Sequence, residues 1–516
     1  IDLSKEGNQP MISNEGNIII FNGEIYNFKS LKEELLQEGI KFKSETDTEV
    51  LLHLYEKYGK DLTKHLNGIF AFAIYDPNLK EIFLTRDNFG IKPLYYFLDE
   101  KGIIFGSEIK AIMDFVSFSS KNISKKSIRN HLTYLFNPND CVIINNLKKL
   151  TPGEYLIICN GKIKEKKVWF NLSQRKINFL KPNKSFKKTF INKFQEAVHR
   201  QMISDVPIGA LLSGGLDSSS IVAFARDLKN DLPCFTIVNE SDEKDGFNDD
   251  LPYAKRVAKI FNLPLFEVEV KPNDLIDNLY ETISILEEPL ADPAALNVLF
   301  ISQIAKSKGI KVLLSGAGGD DVLTGYRRHT AIKLNQYMQY LPVFPFKFIK
   351  KLKNINNFSN VKLRRLDKFI ENIDLRGDEQ IINYFKWTGD ETINKLFYDV
   401  DNSEFNNDKE MKDFLDLSNN NLSMIEKMLL LEKRFFLTDH NLLYNDKMSM
   451  ASSIELRVPF LDIDFEEFCS SIPTKFKQKI FNNKWILKKS MEDYLPKDII
   501  YRSKTGFGAP IRKWVR

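Results

Sequence analysis

A short apolar run that ends in two glycines constrains the fold of this chain more than any other feature. Residues 206–212 have the length of a strand, Ser213-Gly214-Gly215 interrupts them, and a helix is predicted after Asp217. Free N–H groups at the start of a helix bind phosphate, and adjacent glycines let the backbone approach an anion closely. The pattern therefore predicts a phosphate-binding turn between a strand and a helix.

The acidic residue of this turn indicates a metal ion. Asp217 places a carboxylate where phosphates would bind, which suggests a bridging Mg²⁺. The turn has no G-K-[ST] sequence, so it is not a Walker A loop. A bare Ser-Gly-Gly would suit any strand-to-helix turn, but the full run at 213–219 resembles the pyrophosphate loop of the ATP pyrophosphatases, which activate substrates by adenylation.

A second stretch repeats this arrangement. The predicted strand 311–314 is followed by Ser315-Gly316, a glycine turn, and the carboxylates of Asp320 and Asp321. Two such loops on one parallel sheet would face each other, and Asp217 and Asp320 could then share one Mg²⁺. Near the end of the sequence, Lys504 lies in another glycine turn. This lysine is either an ordinary surface residue or a residue that binds pyrophosphate.

Composition excludes several classes of protein. The 516 residues predict two or three domains, and 43% hydrophobic with 28% charged residues is typical of a globular protein. The net charge of +5 is small and diffuse, so no nucleic-acid partner is expected. Four scattered cysteines indicate neither a zinc site nor disulfides and fit a reducing cytoplasm, and no apolar run is long enough for a transmembrane helix. Because the sequence begins with Ile1, we expect a fragment.

The first part of the chain is predicted to be rich in strands. Apolar runs suggest strands at 17–21, 68–76, 81–85, 94–97, 102–106 and 155–159, with a turn at 22–27. Helices are predicted at 28–39 and 48–58, the second capped within 44–47. This pattern favours stacked sheets with helices outside. The Lys- and Asn-rich stretch 161–188 is predicted to be a solvated connector rather than a binding patch.

The second part alternates strands and helices. A helix capped by Ser185 comes first, and further helices are predicted after Ser218 and at 251–261. The predicted strands are 206–212, 233–238, 264–270 and 311–314. Alternation predicts a doubly wound parallel sheet with its site at the carboxyl ends of the strands. Beyond Thr330 we expect mostly helix, and the aromatics and leucines of 341–410 are interpreted as core.

Ordered motifs along the whole chain resemble the glutamine-dependent asparagine synthetase family of the B type. In the first part they are Asn-Gly-Glu-Ile-Tyr-Asn at 22–27, Asp-Thr-Glu at 47–49, residues 67–76, Arg-Asp at 86–87 with 90–95, and 106–110. In the second part they are the two loops, Glu-Pro-Leu-Ala-Asp-Pro at 288–293, 446–451, 455–462 and the Lys504 turn.

The resemblance implies an α/β protein with two domains joined by an ammonia tunnel. Residues 1–165 would form an N-terminal-nucleophile glutaminase, a sandwich of stacked antiparallel sheets with outer helices. A linker at 166–185 would lead to an adenylating ATP pyrophosphatase domain at 186–516, doubly wound and with a helical C-terminal part. The implied small molecules are glutamine, ATP, Mg²⁺ and a carboxylate, and a homodimer in the cytoplasm is expected.

The resemblance also assigns site residues. Glutamine would be held by Asn22, Gly23, Glu24 and Asp47, with the two carboxylates on its α-ammonium. ATP would contact Leu212, Ser213, Gly214, Gly215, Asp217, Ser218, Ile237, Ser315 and Gly316. Asp217 and Asp320 would be metal ligands, and Lys504 would stabilise the charge on leaving pyrophosphate.

The chain departs from the family pattern in two places. The family's nucleophilic cysteine begins the mature chain, and by the resemblance about fifty residues precede Ile1, so this sequence carries no glutaminase cysteine; its C-terminus also resembles a truncation. The family's usual Ser-Gly-Glu-Gly is Ser315-Gly316-Ala317-Gly318 here. Ala317 replaces the residue that the family uses to accept a proton from ammonia, which weakens the case for aspartate.

The sequence therefore predicts an ATP-dependent amidotransferase that amidates a carboxylate through an acyl-adenylate, with asparagine synthesis as the leading function. One alternative is amidation of another carboxylate, such as a sugar uronic acid in surface-polysaccharide assembly. Another is a non-catalytic homologue, which the intact loops disfavour. An ATP pyrophosphatase that acts on tRNA is disfavoured by the diffuse charge.

Overall fold

The computed structural model describes residues 5–116, 122–181, 185–238, 250–338, 368–397, 408–419 and 421–502. In these ranges the chain forms fourteen strands: β1 (Met11–Ile12), β2 (Ile18–Ile25), β3 (Gly68–Asp76), β4 (Glu81–Arg86), β5 (Tyr95–Asp99), β6 (Gly102–Gly106), β7 (Leu147–Lys149), β8 (Glu154–Cys159), β9 (Lys162–Val168), β10 (Ile208–Leu211), β11 (Cys234–Val238), β12 (Leu265–Glu269), β13 (Val312–Leu314) and β14 (Glu455–Arg457).

Helices surround these strands. The α-helices of the first part are Phe28–Gln37, Asp47–Tyr58, Ile109–Met113 and Lys125–Tyr134. Those of the second part are Phe186–Gln201, Leu216–Ala225, Leu251–Phe261, Pro272–Asp277, Leu279–Leu286, Ala294–Ser307, Gly319–Leu323, Arg327–Met338, Gly377–Asn383, Asp390–Leu396, Lys409–Asp416, Met424–Leu431, Leu443–Met450, Ile463–Ser471, Thr474–Lys477, Trp485–Met491 and Lys497–Ile500. A π-helix spans Glu432–Leu442, and 3₁₀ turns occur at Lys5–Gly7, Gly59–His65 and Pro459–Leu461.

Two antiparallel sheets stack in the first part, as predicted. One has the order β1-β2-β3-β4-β8-β9 and the other the order β6-β5-β7. Alternate residues of β3 face opposite sides, because side chains alternate along a strand. Phe70 and Phe72 pack with Leu31 and Leu51 of two covering helices, whereas Ala71 packs in the cluster that joins the two sheets. The expected sandwich with outer helices is confirmed.

The second part contains a five-stranded parallel sheet of order β12-β11-β10-β13-β14. On one face, Val312 and Leu314 of β13 share a core with Phe194 and Val222 from the flanking helices. On the other face, Leu313 packs in a separate core with helix Ala294–Ser307. Helices on both faces confirm the predicted doubly wound α/β fold.

Two sequence predictions about the first part are wrong. The expected turn at 22–27 is largely strand, because β2 continues to Ile25. Gly23 serves close packing rather than a turn, since a Cβ there would lie 2.0 Å from the Ile69 carbonyl oxygen. The expected connector from residue 161 begins with strand β9, which pairs with β8. Its lysines suit an edge strand, whose outer side must remain solvated.

Three further expectations concern helix starts. The Ser185 side chain forms no capping bond, although helix Phe186–Gln201 begins where predicted. The helix expected after Ser218 begins earlier, at Leu216, because Gly215 is its N-cap residue. The cap within 44–47 is confirmed, since the Thr46 side chain accepts a hydrogen bond from the Glu49 N–H.

The helical region that follows the parallel sheet forms a core of its own. Ile381, Ile382 and Phe385 are buried with Met428 in this cluster. The interpretation of the aromatics and leucines of 341–410 as core is confirmed for Phe385 but wrong for Trp387 and Leu396, whose side chains are exposed. The cluster also takes in Phe136 from the first part. None of the helices in the described ranges is long and apolar enough to cross a membrane.

Candidate active site

The first glycine loop leaves the carboxyl end of β10 and packs tightly against a neighbouring helix. Gly214 has φ +65°, and a Cβ on it would lie 2.4 Å from the backbone nitrogen of Ala254. Both the positive φ and the close approach require glycine. The first predicted glycine is thus fixed by packing, and it turns the chain at the strand end.

The loop ends at a helix start that no side chain caps. Gly215 is the N-cap of helix Leu216–Ala225 and supplies no side-chain acceptor. The two serines of the loop are bonded to each other: Ser218 Oγ accepts from the Ser213 N–H at 3.3 Å and lies 3.1 Å from Ser213 Oγ. An uncapped start with its positive dipole end attracts an anion, which fits the predicted phosphate loop.

The second loop follows β13, the neighbour of β10, and contacts the first loop directly. A Cβ on Gly316 would lie 3.1 Å from Asp217 Cβ, and a Cβ on Gly319 would lie 2.9 Å from Asp217 Cγ. These glycines leave room for the Asp217 side chain between the loops. The expectation that the two loops face each other is met by this contact.

A lysine that the sequence did not single out lies between the two loops. The ammonium of Lys484 forms ion pairs with Asp217 Oδ2 and Asp320 Oδ1. Burial by itself would lower the pKa of Lys484. The two neighbouring carboxylates have the larger opposite effect, so the pKa of Lys484 is raised. Since both oxygens contact one nitrogen atom, the two carboxylates lie within reach of one ion. Lys484 belongs to no motif that could have predicted this role.

The remaining predicted ATP residues lie at neighbouring strand ends. Leu212 follows β10 and is buried, Ile237 is half-buried in β11, and Ser315 follows β13 with its N–H donated to the Arg457 carbonyl at 2.8 Å. Their role in binding ATP stays a prediction. Lys504 lies outside the described residues, but Arg502 donates to the Gly214 carbonyl at 3.2 Å.

The predicted glutamine residues gather where β2 meets the start of helix Asp47–Tyr58. Asp47 Oδ2 accepts from the Ile25 N–H at 2.9 Å, which holds this carboxylate beside the strand that carries Glu24. Burial raises the pKa of Glu24 to about 8 and that of Asp47 to about 6. Asn22 lies on the same strand and donates to Ser107 Oγ at 3.1 Å. That these residues bind glutamine stays a prediction.

Arg457 joins this group to the parallel sheet. It ends strand β14 and is completely buried, with Nη2 3.3 Å from Glu24 Oε2 and Nε 2.7 Å from Glu455 Oε1. Its Nη1 also donates to the carbonyls of Gln201 and Ile203. The sequence analysis placed Arg457 in a family motif without assigning it a role. The structure shows that it links the two parts of the chain.

Two more buried ion pairs cross between the two parts. Lys92 Nζ lies 3.0 Å from Asp446 Oδ1, and Lys149 Nζ lies 3.2 Å from Asp439 Oδ1. All four side chains are nearly inaccessible to solvent. Buried charges are expensive to separate, so the two parts are fixed against each other.

Two carboxylates at the contact between the loops are candidate donors for a metal ion. Asp217 and Asp320 are oxygen ligands of the kind that Mg²⁺ prefers, and Mg²⁺ commonly takes only one or two protein carboxylates. No group of three or more candidate ligands occurs in the described ranges. The pair fits an ion that arrives with a phosphate ligand and retains several waters.

Comparison with known proteins decides the family. Residues 189–516 match the family described as asparagine synthase, and residues 1–169 match a glutamine amidotransferase domain. The chain belongs to the asparagine synthase family. Its chemistry is glutamine-dependent, ATP-driven amidation, and the resemblance found in the motifs is confirmed.

Relatives of this asparagine synthase family member match along most of their length. Asparagine synthetase [glutamine-hydrolyzing] 1 of Bacillus subtilis (strain 168) is 32% identical, over 100% of this chain and 79% of its own. Asparagine synthetase [glutamine-hydrolyzing] 3 of the same organism is 31% identical, over 97% and 77%. A putative asparagine synthetase 2 of Methanocaldococcus jannaschii is 34% identical, over 70% and 73%.

Proposed function

We propose that this protein converts aspartate to asparagine, with ATP and with ammonia released from glutamine. The observation that carries the proposal is the contact between the two glycine loops, which brings Asp217, Asp320 and Lys484 together at neighbouring strand ends. The names of the similar proteins support aspartate as the carboxylate.

The chemistry requires charge stabilisation in this place. A substrate carboxylate oxygen attacks the α-phosphorus of ATP, and pyrophosphate leaves with the electrons of the broken P–O bond. The uncapped N–H groups at Leu216 and the Lys484 ammonium can stabilise the growing negative charge. Lys504 is proposed to assist, because Arg502, two residues before it, donates to the first loop.

Asp217 and Asp320 are proposed to hold Mg²⁺. Their carboxylates approach one point from the two loops, which is the arrangement that a shared ion needs. The ion would neutralise phosphate charge when bound. Lys484 occupies the same oxygens in this structure, so its ammonium must move toward the phosphates when the ion binds.

The first part is proposed to release the ammonia. Glu24 and Asp47, together with Asn22 and Gly23, would hold glutamine. We propose a glutaminase domain at 1–165, a linker at 166–185 and a synthetase domain at 186–516, although β9 runs three residues past the first boundary, to Val168. A cytoplasmic homodimer is also proposed.

The test is a panel of carboxylates given to the full-length protein with ATP, Mg²⁺ and ammonium. Release of pyrophosphate and formation of the amide are measured for aspartate, glutamate, glucuronate and galacturonate, with Asp217→Asn as the control. We expect aspartate alone to support both. Turnover of a uronic acid instead would contradict the proposal, and so would pyrophosphate release that Asp217→Asn leaves unchanged.

A further inference from the structure

An arginine from the end of the described chain binds the outer side of the first glycine loop. Arg502 Nη1 donates to the Gly214 carbonyl oxygen at 3.2 Å, and Nη2 forms an ion pair with Asp250 Oδ1. The guanidinium also lies over the ring of Tyr253, 4.1 Å from the ring centroid. The arginine side chain is only 9% exposed, so three partners hold a nearly buried cation against the loop.

The partners of this arginine converge on one glycine. A Cβ on Gly214 would lie 2.5 Å from the carbonyl carbon of Tyr253 and 2.6 Å from its Cβ, so the loop backbone packs directly on this residue. Asp250 immediately precedes the helix Leu251–Phe261 that carries Tyr253, and its carbonyl accepts from the Tyr253 N–H at 3.1 Å. The helix start and the arginine together enclose the outer side of Gly214.

The Gly214 carbonyl belongs to the same peptide group as the Gly215 N–H. This peptide bond is trans, and in a trans peptide the C=O and the N–H point in opposite directions. The oxygen points outward to Arg502, and the N–H points into the loop, where it donates to Ser213 Oγ at 3.3 Å. The bond from Arg502 therefore fixes the direction of an N–H donor inside the predicted phosphate loop.

The second glycine loop holds the corresponding peptide without an arginine. There the Gly316 carbonyl accepts from the Gly319 N–H at 3.3 Å. The Ala317 N–H, on the opposite side of that peptide, donates to Ser315 Oγ at 3.2 Å. Within the described ranges, no backbone N–H donates to the Gly214 carbonyl of the first loop. The guanidinium takes the place that a backbone donor has in the second loop.

The peptide between Gly214 and Gly215 depends on this bond because both of its residues are glycines. Glycine adopts positive and negative φ about equally well, so steric contacts resist rotation of this peptide only weakly. Rotation would turn the carbonyl oxygen into the loop and the N–H away from it. A phosphate would then face a partial negative charge in place of a donor, and anion binding at the helix start would weaken.

We propose that Arg502 is a positioning residue of the nucleotide site, which fixes the Gly214–Gly215 peptide with its N–H toward the ATP phosphates. Asp250 and Tyr253 hold the guanidinium in place, and neither belongs to the motifs found in the sequence. The inference rests on the proposed function, because it takes the first loop as the phosphate site. Arg502 itself touches no substrate and acts through the loop backbone.

The geometry requires an arginine rather than any cation. Two guanidinium nitrogens bind different acceptors, the Gly214 carbonyl and Asp250, while the planar face stacks on Tyr253. A lysine ammonium is a point charge without a planar face, so it cannot reproduce this set of contacts. Arg502→Lys should therefore weaken ATP binding nearly as much as Arg502→Ala does.

The first test measures ATP binding by the full-length protein, because this step does not depend on the identity of the carboxylate. Isothermal titration calorimetry with ATP and Mg²⁺ gives the Kd. For Arg502→Ala we expect the Kd to rise about 10–10²-fold, since a charge-assisted hydrogen bond that orients a phosphate donor is lost. Aspartate-dependent exchange of pyrophosphate into ATP reports adenylation, and its KM for ATP should rise by a similar factor.

A soluble guanidinium ion provides the second test. In Arg502→Ala it can occupy the space beside Gly214, Asp250 and Tyr253, so millimolar guanidinium chloride should restore most of the lost ATP affinity. The same concentration of sodium chloride should not. A residue that only anchored the end of the chain could not be replaced by a free ion, because its connection to the backbone would remain broken.

A second variant covers the risk that loss of Arg502 disturbs the local fold. Asp250→Asn keeps the size of the side chain and removes the charge that holds the guanidinium, so the Kd for ATP should rise about three- to tenfold. Added to Arg502→Ala it should have no further effect, because both changes act on the same contact. Additive losses in the double variant would contradict the proposal.

The remaining outcomes separate this proposal from the proposed function. Equal ATP affinity in the wild type and Arg502→Ala would overturn the proposal, and so would a loss that guanidinium does not restore. Absence of ATP binding by the wild type would instead refute the proposed function. Arg256→Ala is the matched control, because that arginine lies on the same helix as Tyr253 and forms an exposed ion pair with Asp498. It should leave the Kd unchanged.

Discussion

Two charge clusters of this molecule each place two carboxylates on one buried cation, but the cations are held differently. Arg457 is completely buried, its Nε and Nη1 donate to Glu455 and to the carbonyls of Gln201 and Ile203, and its Nη2 lies 3.3 Å from Glu24. Lys484 contacts Asp217 and Asp320, whose side chains are 20% and 21% exposed.

The difference follows from the two kinds of cation. A guanidinium is a rigid fork that satisfies several acceptors at fixed angles, whereas an ammonium is a point charge on a flexible stem. Arg457 is therefore a structural connection between the two parts of the chain. An ammonium on a flexible stem can move more readily, which is why we propose that Lys484 exchanges its carboxylates for phosphates when ATP and a metal ion bind.

The largest effect is expected where the cation is structural. Arg457→Met would leave the buried carboxylate of Glu455 without its charged partner, so the free energy of unfolding should fall by about 3–5 kcal/mol. Urea unfolding of both proteins measures this difference in the free energy of unfolding. The control is Arg256→Met, which removes an exposed ion pair with Asp498 and should change stability by less than about 0.5 kcal/mol. Equal effects would show that the Arg457 link is not structural.

The next effect is on catalysis. Lys484→Met should slow aspartate-dependent pyrophosphate exchange by about 10²–10³-fold, because it removes a charge that stabilises leaving pyrophosphate. Lys489→Met, on the same helix, is the matched control, since that lysine is partly exposed and pairs with Glu492. If both variants lose activity equally, the Lys484 ammonium is not an exchangeable part of the site.

The third effect is a pH dependence of stability. Burial raises the pKa of Glu24 from 4.5 to about 8 in the folded protein, so the folded state binds more protons than the unfolded state between these values. The free energy of unfolding must then fall as pH rises from 5 to 8, with a slope of about 1 kcal/mol per pH unit. Glu24→Gln should flatten this slope. A slope that Glu24→Gln leaves unchanged would assign the protons to other groups.

The smallest effect compares two helix starts. Thr46 caps the helix that carries Asp47, whereas Gly215 leaves the helix of the first loop without a side-chain cap. Thr46→Ala should therefore reduce the free energy of unfolding by about 1 kcal/mol and leave pyrophosphate exchange unchanged. A change in exchange without a loss of stability would contradict this division between a structural and a binding helix start.

Local patterns predicted most of the fold and the two loops. Strand β3, helix Leu251–Phe261 and both glycine turns follow from residues that are adjacent in sequence. Strand β9 was not predicted, because its lysine-rich composition is also typical of a solvated connector. Composition does not reveal that β8 lies beside it as a pairing partner.

The cations of both clusters could not be predicted in the same way. Lys484 and Asp217 are separated by 267 positions, and the sequence around Lys484 contains no motif that indicates the contact. The role of Arg457 likewise depends on which elements the fold places beside it.

The central claim is that the two loops join a carboxylate to AMP, and isotope transfer tests it most directly. Aspartate labelled with ¹⁸O in its side-chain carboxylate is incubated with the full-length protein, ATP, Mg²⁺ and ammonium, and the AMP is analysed by mass spectrometry. An acyl-adenylate predicts one ¹⁸O atom in the phosphate of each AMP formed with asparagine. Asparagine formed with unlabelled AMP, or with ADP and phosphate, would contradict the account.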